Sequence, residues 1–169
     1  MFGDDGEGGE FLAWHDGLPE PARAALAAAA EAWSDDTVAE AQIGLALAAA
    51  PDHLAARVAA YKFYFYKNRL SDAAPLALWC VEWAATRLGL PADWRWVGPG
   101  SAGLGAEFAV APLPRFFLFS LKAYGYVMAR QGAVAEGRAA VAKVVELDPR
   151  DVVGAGRLLA VIDRGGAVE

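Results

Sequence analysis

Cysteine occurs once in this 169-residue chain, and histidine and methionine twice each. A single thiol, Cys80, excludes an internal disulfide and a cysteine-rich zinc site. Its neighbours Leu78, Trp79 and Val81 predict a buried rather than a reactive thiol, and a reduced, cytoplasmic setting is expected. Basic charge is also short: 15 Lys and Arg face 21 Asp and Glu, a net charge of -6. That balance argues against broad affinity for nucleic acid or anionic membrane, both of which need a basic surface. No apolar run reaches the roughly 18 to 20 residues that span a bilayer. Residues 108–126 come nearest and are interrupted by Pro112, Pro114, Arg115 and Lys122. The opening MFGDDGEGGE is acidic and glycine-rich, the reverse of the basic start of a secretory signal. Residues 1–18 therefore read as a flexible acidic segment, and 165–169 as a short tail.

Chemistry-bearing patterns are equally scarce. His15 and His53 each stand alone, and His53, beside Pro51-Asp52, reads as a cap or surface residue. No HExxH, GxSxG or P-loop occurs. The string GPGSAGLG lacks the Lys-Ser/Thr ending of a phosphate loop and reads as flexible connection. Asp4-Asp5 and Asp35-Asp36 read as tail and cap. The expectation is a protein without catalytic residues, metal or cofactor.

What the chain has in plenty is alanine, a strong helix former that lets helices approach closely, within a hydrophobic fraction of 56%. Pro19-Glu20-Pro21 opens a first helix, carrying Leu26, Ala30 and Trp33 at helical spacing. Ser34-Asp35-Asp36 breaks it and caps a second, with Val38, Ile43 and Leu47, that stops at Pro51. Pro51-Asp52-His53 starts a third helix rich in aromatics and bases. Residues 70–73, Leu-Ser-Asp-Ala, are expected to turn, placing Pro75 in the first turn of a fourth helix. That helix carries Trp79, Trp83 and Leu88 to Gly89 and Pro91. Residues 89–114 form an irregular Trp/Gly/Pro-rich insert anchored by Trp94, Trp96 and Phe108, with a short strand pair at 94–97 and 107–110 as one option. A fifth helix begins near Pro114 and a sixth closes at Pro149. Asp151 caps a last helix through Arg157, Leu158 and Val161.

The stretch 121–149, LKAYGYVMARQGAVAEGRAAVAKVVELDP, carries the clearest pattern. Leu121, Tyr124, Gly125 and Met128 occupy one helix, and Gly137, Val141, Val144 and Pro149 follow in the next. This spacing resembles a tetratricopeptide (TPR) repeat. Arg57, Ala60, Tyr61 and Tyr64 with Ala73, Ala77 and Cys80 match a second copy, and Ala39, Ile43 and Ala46 the end of a first. In that copy Leu26 and Ala27 stand in place of the apolar-glycine pair, and in the second Ala85 replaces the closing proline. The resemblance implies an all-α superhelix of about three helical hairpins over 19–164, interrupted by the insert at 89–114 and closed by a capping helix.

It also implies that the first helix of each hairpin lines a concave groove. Lys62, Phe65, Tyr66 and Arg69 share one helical stripe, and Phe119, Lys122, Tyr126 and Arg130 a comparable one. With both facing the groove, its lining is basic and aromatic in an acidic molecule, suiting an acidic or carboxylate-ended peptide. The expected function is thus a non-catalytic protein- or peptide-binding scaffold, an adaptor or chaperone-like factor, without nucleic acid or membrane as partner. The carboxylate clamp of one TPR subclass is not reproduced, because the only asparagine, Asn68, lies near a helix end. Two plainer readings stand beside this one: the aromatics pack between repeats while the bases reach water, or the surface pairs the chain into a homodimer. The insert offers a further alternative, with Trp94, Arg95 and Trp96 as a lid or ligand contact of a small-molecule-binding or enzyme-accessory protein. Alternation equally allows both rings to enter the core and Arg95 to face water.

Overall fold

Proline at the second position of a helix loses no hydrogen bond, and Pro21 stands there in α1 (Glu20–Glu31). In the computed structural model, which describes residues 16–101 and 108–165, six more α-helices follow. They are α2 (Asp36–Ala49), α3 (Leu54–Tyr66), α4 (Leu70–Leu88), α5 (Pro112–Arg130), α6 (Val134–Leu147) and α7 (Gly156–Asp163). All regular structure among the described residues is helical, as the sequence predicts. The described residues divide into two compact units between Leu76 and Ala77, inside α4.

Helix ends follow local chemistry. The Asp35 carboxylate accepts the Val38 N–H at 3.1 Å and starts α2. His53 starts α3 by accepting the Ala55 N–H on Nδ1 at 3.2 Å, while its Nε2 lies 2.9 Å from the Asp16 carbonyl. A single neutral tautomer serves both, with Nε2–H donating.

Two sequence expectations shift at the next boundary. Leu70 already begins α4, so residues 70–73 are helix, and the turn lies at 67–69. Asn68 takes the left-handed conformation, φ 57°. The Arg69 N–H reaches the Tyr64 carbonyl at 2.8 Å and the Asn68 N–H that of Phe65 at 3.0 Å, the paired bonds of a Schellman ending. Asparagine substitutes here for the usual glycine because its short polar side chain tolerates positive φ. Pro75 consequently falls beyond the first turn, inside α4. It cannot donate to the carbonyl of Ser71, and both residues are exposed.

In the unit 16–76, α1 packs on α2, and both touch α3. Buried alanines dominate the facing surfaces: Ala22, Ala25 and Ala29 on α1, and Ala39 and Ala46 beside Ile43 on α2. Leu18, Ala22, Ala50, Ala55 and Ala56 form one cluster, with Leu26 and Leu47 against it. Tyr61 and Phe63 are the largest side chains fully enclosed here.

In the second unit α5 packs on α6, and α6 on α7. A Cβ built on Gly137 would stand 2.5 Å from the Gly125 carbonyl oxygen and 2.6 Å from the Ala129 nitrogen. One built on Gly125 would meet Val141 at 2.7 Å and the Gly137 oxygen at 2.9 Å. Two glycines thus let the helices meet backbone to backbone. Gly132, φ 96°, ends α5, with the Ala133 N–H on the Met128 carbonyl at 2.9 Å. Phe117, Leu118, Leu121, Val127, Val141 and Val144 are fully enclosed.

Ser120 sits among them on α5, fully buried, its hydroxyl without a hydrogen-bond partner. Removing such a group relieves its desolvation cost, and alanine is the better helix former. Ser120→Ala is expected to raise stability by about 1 kcal/mol in denaturant titration; a loss of that size would mean the hydroxyl is satisfied.

The strand pair does not form. Residues Trp94–Trp96 and Phe108–Val110 are 3-10 turns; residue 107 lies outside the described residues, as do His15 and most of the acidic N-terminal segment. Asp93 closes the first turn by accepting the Arg95 N–H on its carboxylate at 2.9 Å and the Trp96 N–H on its carbonyl at 3.0 Å. Donors used locally in this way are not available to a ladder.

Candidate functional site

On α3 the stripe Lys62, Phe65, Tyr66, Arg69 separates into exposed and committed members. Arg69, just past the helix, pairs with Glu40 at 2.6 Å and Asp72 at 3.0 Å and lies over the Tyr64 ring at 4.8 Å. It braces α2, the end of α3 and the start of α4. Burial, with Glu40 nearby, pushes the Tyr64 hydroxyl above its usual range. Phe65 is half-buried and stacks on Tyr61 at 5.6 Å. Lys62 is half-buried and, among the described residues, has no acidic partner. Tyr66 is 55% exposed.

Tyr66 meets a residue that helical spacing hid. Trp33 had been expected on the apolar face of α1, but that helix ends at Glu31. The indole is 42% exposed and makes edge contacts with Tyr66 at 6.3 Å and Phe63 at 5.9 Å. Lys67 completes the corner. Its ammonium lies 4.9 Å over the Trp33 ring, donates to the Trp33 carbonyl at 2.8 Å and pairs with Asp36 at 2.5 Å. The sequence signal was a tryptophan directly before a polar break, a position where it borders no continuing helix.

The α5 stripe Phe119, Lys122, Tyr126, Arg130 lies in the other unit. Lys122 is turned to internal use: its ammonium donates a short hydrogen bond to the Val153 carbonyl and stands 5.0 Å from the centre of the Phe119 ring. Burial holds its pKa below the ordinary lysine range, against the opposing charges of Asp151 and Asp148. The loop it grips is itself tied. Buried Asp148 accepts the Val153 N–H at 2.9 Å, and Asp151, φ 53°, accepts from Ala155 and Gly156 at 2.6 and 3.0 Å to cap α7. Tyr126 is half-buried with Arg130 over its ring at 5.7 Å, and Arg130 is exposed.

Of Trp94, Arg95 and Trp96, only Trp94 enters the core, against the expectation that both rings do. Trp94 is buried edge-on to Tyr124 at 6.5 Å, whereas Trp96 is 78% exposed. A turn of three residues places the two rings on different sides, where a strand would align them. Arg95 covers the Trp94 ring at 4.5 Å and bridges Asp93 at 3.2 Å and Glu136 at 2.5 Å. The same Glu136 oxygen accepts the Tyr124 hydroxyl at 2.9 Å. Burial and that carboxylate push the Tyr124 pKa up to about 12, while the Arg95 N–H lowers that of Asp93. This packing fastens the first turn of the insert to α5 and α6.

Among the described residues, no His, Cys, Asp or Glu cluster suits a metal ion, and no helix is long and apolar enough to cross a membrane. Three large rings, Trp33, Tyr66 and Trp96, stay exposed among the described residues. No family model matches the chain, and no solved structure matches it. A similar protein is the uncharacterized 19.8 kDa protein in the nifW 5′ region of Azotobacter chroococcum mcd 1. It is 40% identical over 134 residues, which cover 79% of this chain and 74% of that protein. At that identity and coverage, the chain belongs to the family of this nifW 5′-region protein.

Proposed function

We propose that the chain is a TPR-like helical repeat protein acting as a non-catalytic scaffold, binding a protein or peptide partner through aromatic side chains on its helices. The paired helices α1–α2 and α5–α6, the glycine contact at Gly125 and Gly137, and Pro149 just after α6 support the repeat reading. The observation that carries the binding role is Tyr66, 55% exposed on the stripe singled out from sequence and in edge contact with partly exposed Trp33. Aromatic rings held in place by their neighbours lose little entropy on binding and dominate interface hot spots. Of the bases in the two stripes, Arg69 and Lys122 serve the fold, so the contact surface is more aromatic than basic.

The relative's name places it beside nifW, which makes the nifW product the first partner to test. Immobilised full-length chain is expected to capture it, with Tyr66→Ala weakening capture about tenfold at unchanged melting temperature. Equal capture by both forms would sink the aromatic surface. Lys62→Glu is the suitable charge probe, since replacing Lys122 would disturb the Val153 loop.

A further inference from the structure

We infer that the Trp33–Tyr66 corner receives a basic side chain, an arginine for preference, from a partner protein segment. This rests on the scaffold reading and names the partner's chemistry. Three observations converge on it. Trp33 and Tyr66 present partly exposed rings 6.3 Å apart and inclined at 70°, and an exposed aromatic face attracts cations through its quadrupole.

Charge around the corner has the complementary sign. Glu31, Asp35 and Asp36 lie within three residues of Trp33, against one paired base, Lys67: three negative and one positive, a surplus of two. Adding Lys62, one turn before Tyr66 on α3, and Arg69 with its partners Glu40 and Asp72 gives five negative and three positive charges, still a surplus of two negative. Among the described residues neither Glu31 nor Asp35 has a cationic partner, although the Asp35 carboxylate accepts the Val38 N–H.

The corner also already holds an ammonium. Lys67 sits over the Trp33 ring with both Asp36 and the Trp33 carbonyl as acceptors. The chain's own cation thus uses the recognition chemistry proposed for the partner, and it leaves the Tyr66 ring, edge-on to Trp33 and Phe65, and the Glu31 and Asp35 carboxylates without a cation. A planar guanidinium suits what remains, since it stacks on a ring while donating to carboxylates in its plane.

The test uses the full chain labelled with nitrogen-15, in which each of the six tryptophans gives one indole signal and Trp33→Phe assigns that of Trp33. A short peptide alternating arginine and glycine is titrated at low salt, with a glutamate-glycine peptide as its opposite. The expected result is a saturable shift of the Trp33 signal with the arginine peptide only. Tyr66→Ala should raise half-saturation about fivefold, the equivalent of one exposed cation–π contact. A shift with the glutamate peptide instead overturns the inference. So does an arginine-peptide shift that is unchanged in Tyr66→Ala or spread over all six signals, since either is diffuse attraction to an acidic protein. A Trp33 shift that grows with protein concentration alone assigns the corner to a second copy and also overturns it. Should neither peptide bind while Tyr66→Ala still weakens capture of the nifW product, the basic occupant is wrong and the scaffold stands.

Discussion

Gly137→Ala is expected to destabilise the protein by about 2 kcal/mol, although the same exchange favours most helices. Alanine gains about 1 kcal/mol over glycine in helix propensity. The new methyl would lie 2.5 Å from the Gly125 oxygen and 2.6 Å from the Ala129 nitrogen. Those atoms are backbone and cannot rotate aside, so α5 and α6 must separate. Overpacking of this kind costs about 1 to 3 kcal/mol and occasionally more, and lost contacts along the hairpin add to it. Gly44→Ala is the control, because nothing lies within 4 Å of a Cβ on that exposed α2 position. There propensity acts alone, with an expected gain of about 0.5 to 1 kcal/mol. Denaturant midpoints moving in opposite directions would establish the close approach; a stabilised Gly137→Ala would refute it.

Glu136→Ala should cost about 2 to 3 kcal/mol, chiefly through the Tyr124 hydroxyl, since hydrogen bonds to charged groups contribute about 1.5 to 3 kcal/mol. The half-exposed pair with Arg95 adds little. A pH signature separates this contact from general packing. Tyr124 keeps its proton up to about pH 12 in the folded protein, against about 10 for a free tyrosine. Between these values the folded state binds more protons than the unfolded one, so stability falls as pH rises. The contribution is whole below pH 10 and lost on passing pH 12. Tyr124→Phe should flatten that alkaline slope, and an unchanged slope would assign it elsewhere.

Helix positions were legible where one residue decides an end: Pro21, the Asp35 cap, Gly89 and the Asp151 cap. They slipped where two residue types compete. Asn68 is a weaker marker of positive φ than glycine, so the turn was read three residues late and Pro75 too near a helix start. Burial of Cys80 followed from its apolar neighbours Leu78, Trp79 and Val81, and the small residues Gly125 and Gly137 were placed by the repeat resemblance. The candidate surface was less readable. Whether a base lines a groove or braces the fold depends on partners far along the chain, and Arg69–Glu40 and Lys122–Val153 span 29 and 31 residues. Periodicity puts Lys122 on a face and says nothing of the carbonyl waiting there. Trp33 was missed for a related reason, since spacing carried it into α1 two residues past the true end.

The bond from Lys122 to the Val153 carbonyl bears on the order in which the chain locks. Until the loop at 148–156 arrives, the ammonium stays hydrated and nothing penalises it. Once the loop docks, burial and bond appear together, and each largely offsets the other. The bond itself therefore adds little net grip, and the last helix is held by its Asp151 cap, the Arg138–Asp163 pair and the buried Val153, Ala155 and Ile162. In hydrogen exchange the amides of α7 should open and reclose well before those of α5 and α6, and loss of the chain beyond 148 would return Lys122 to water without leaving an orphaned charge.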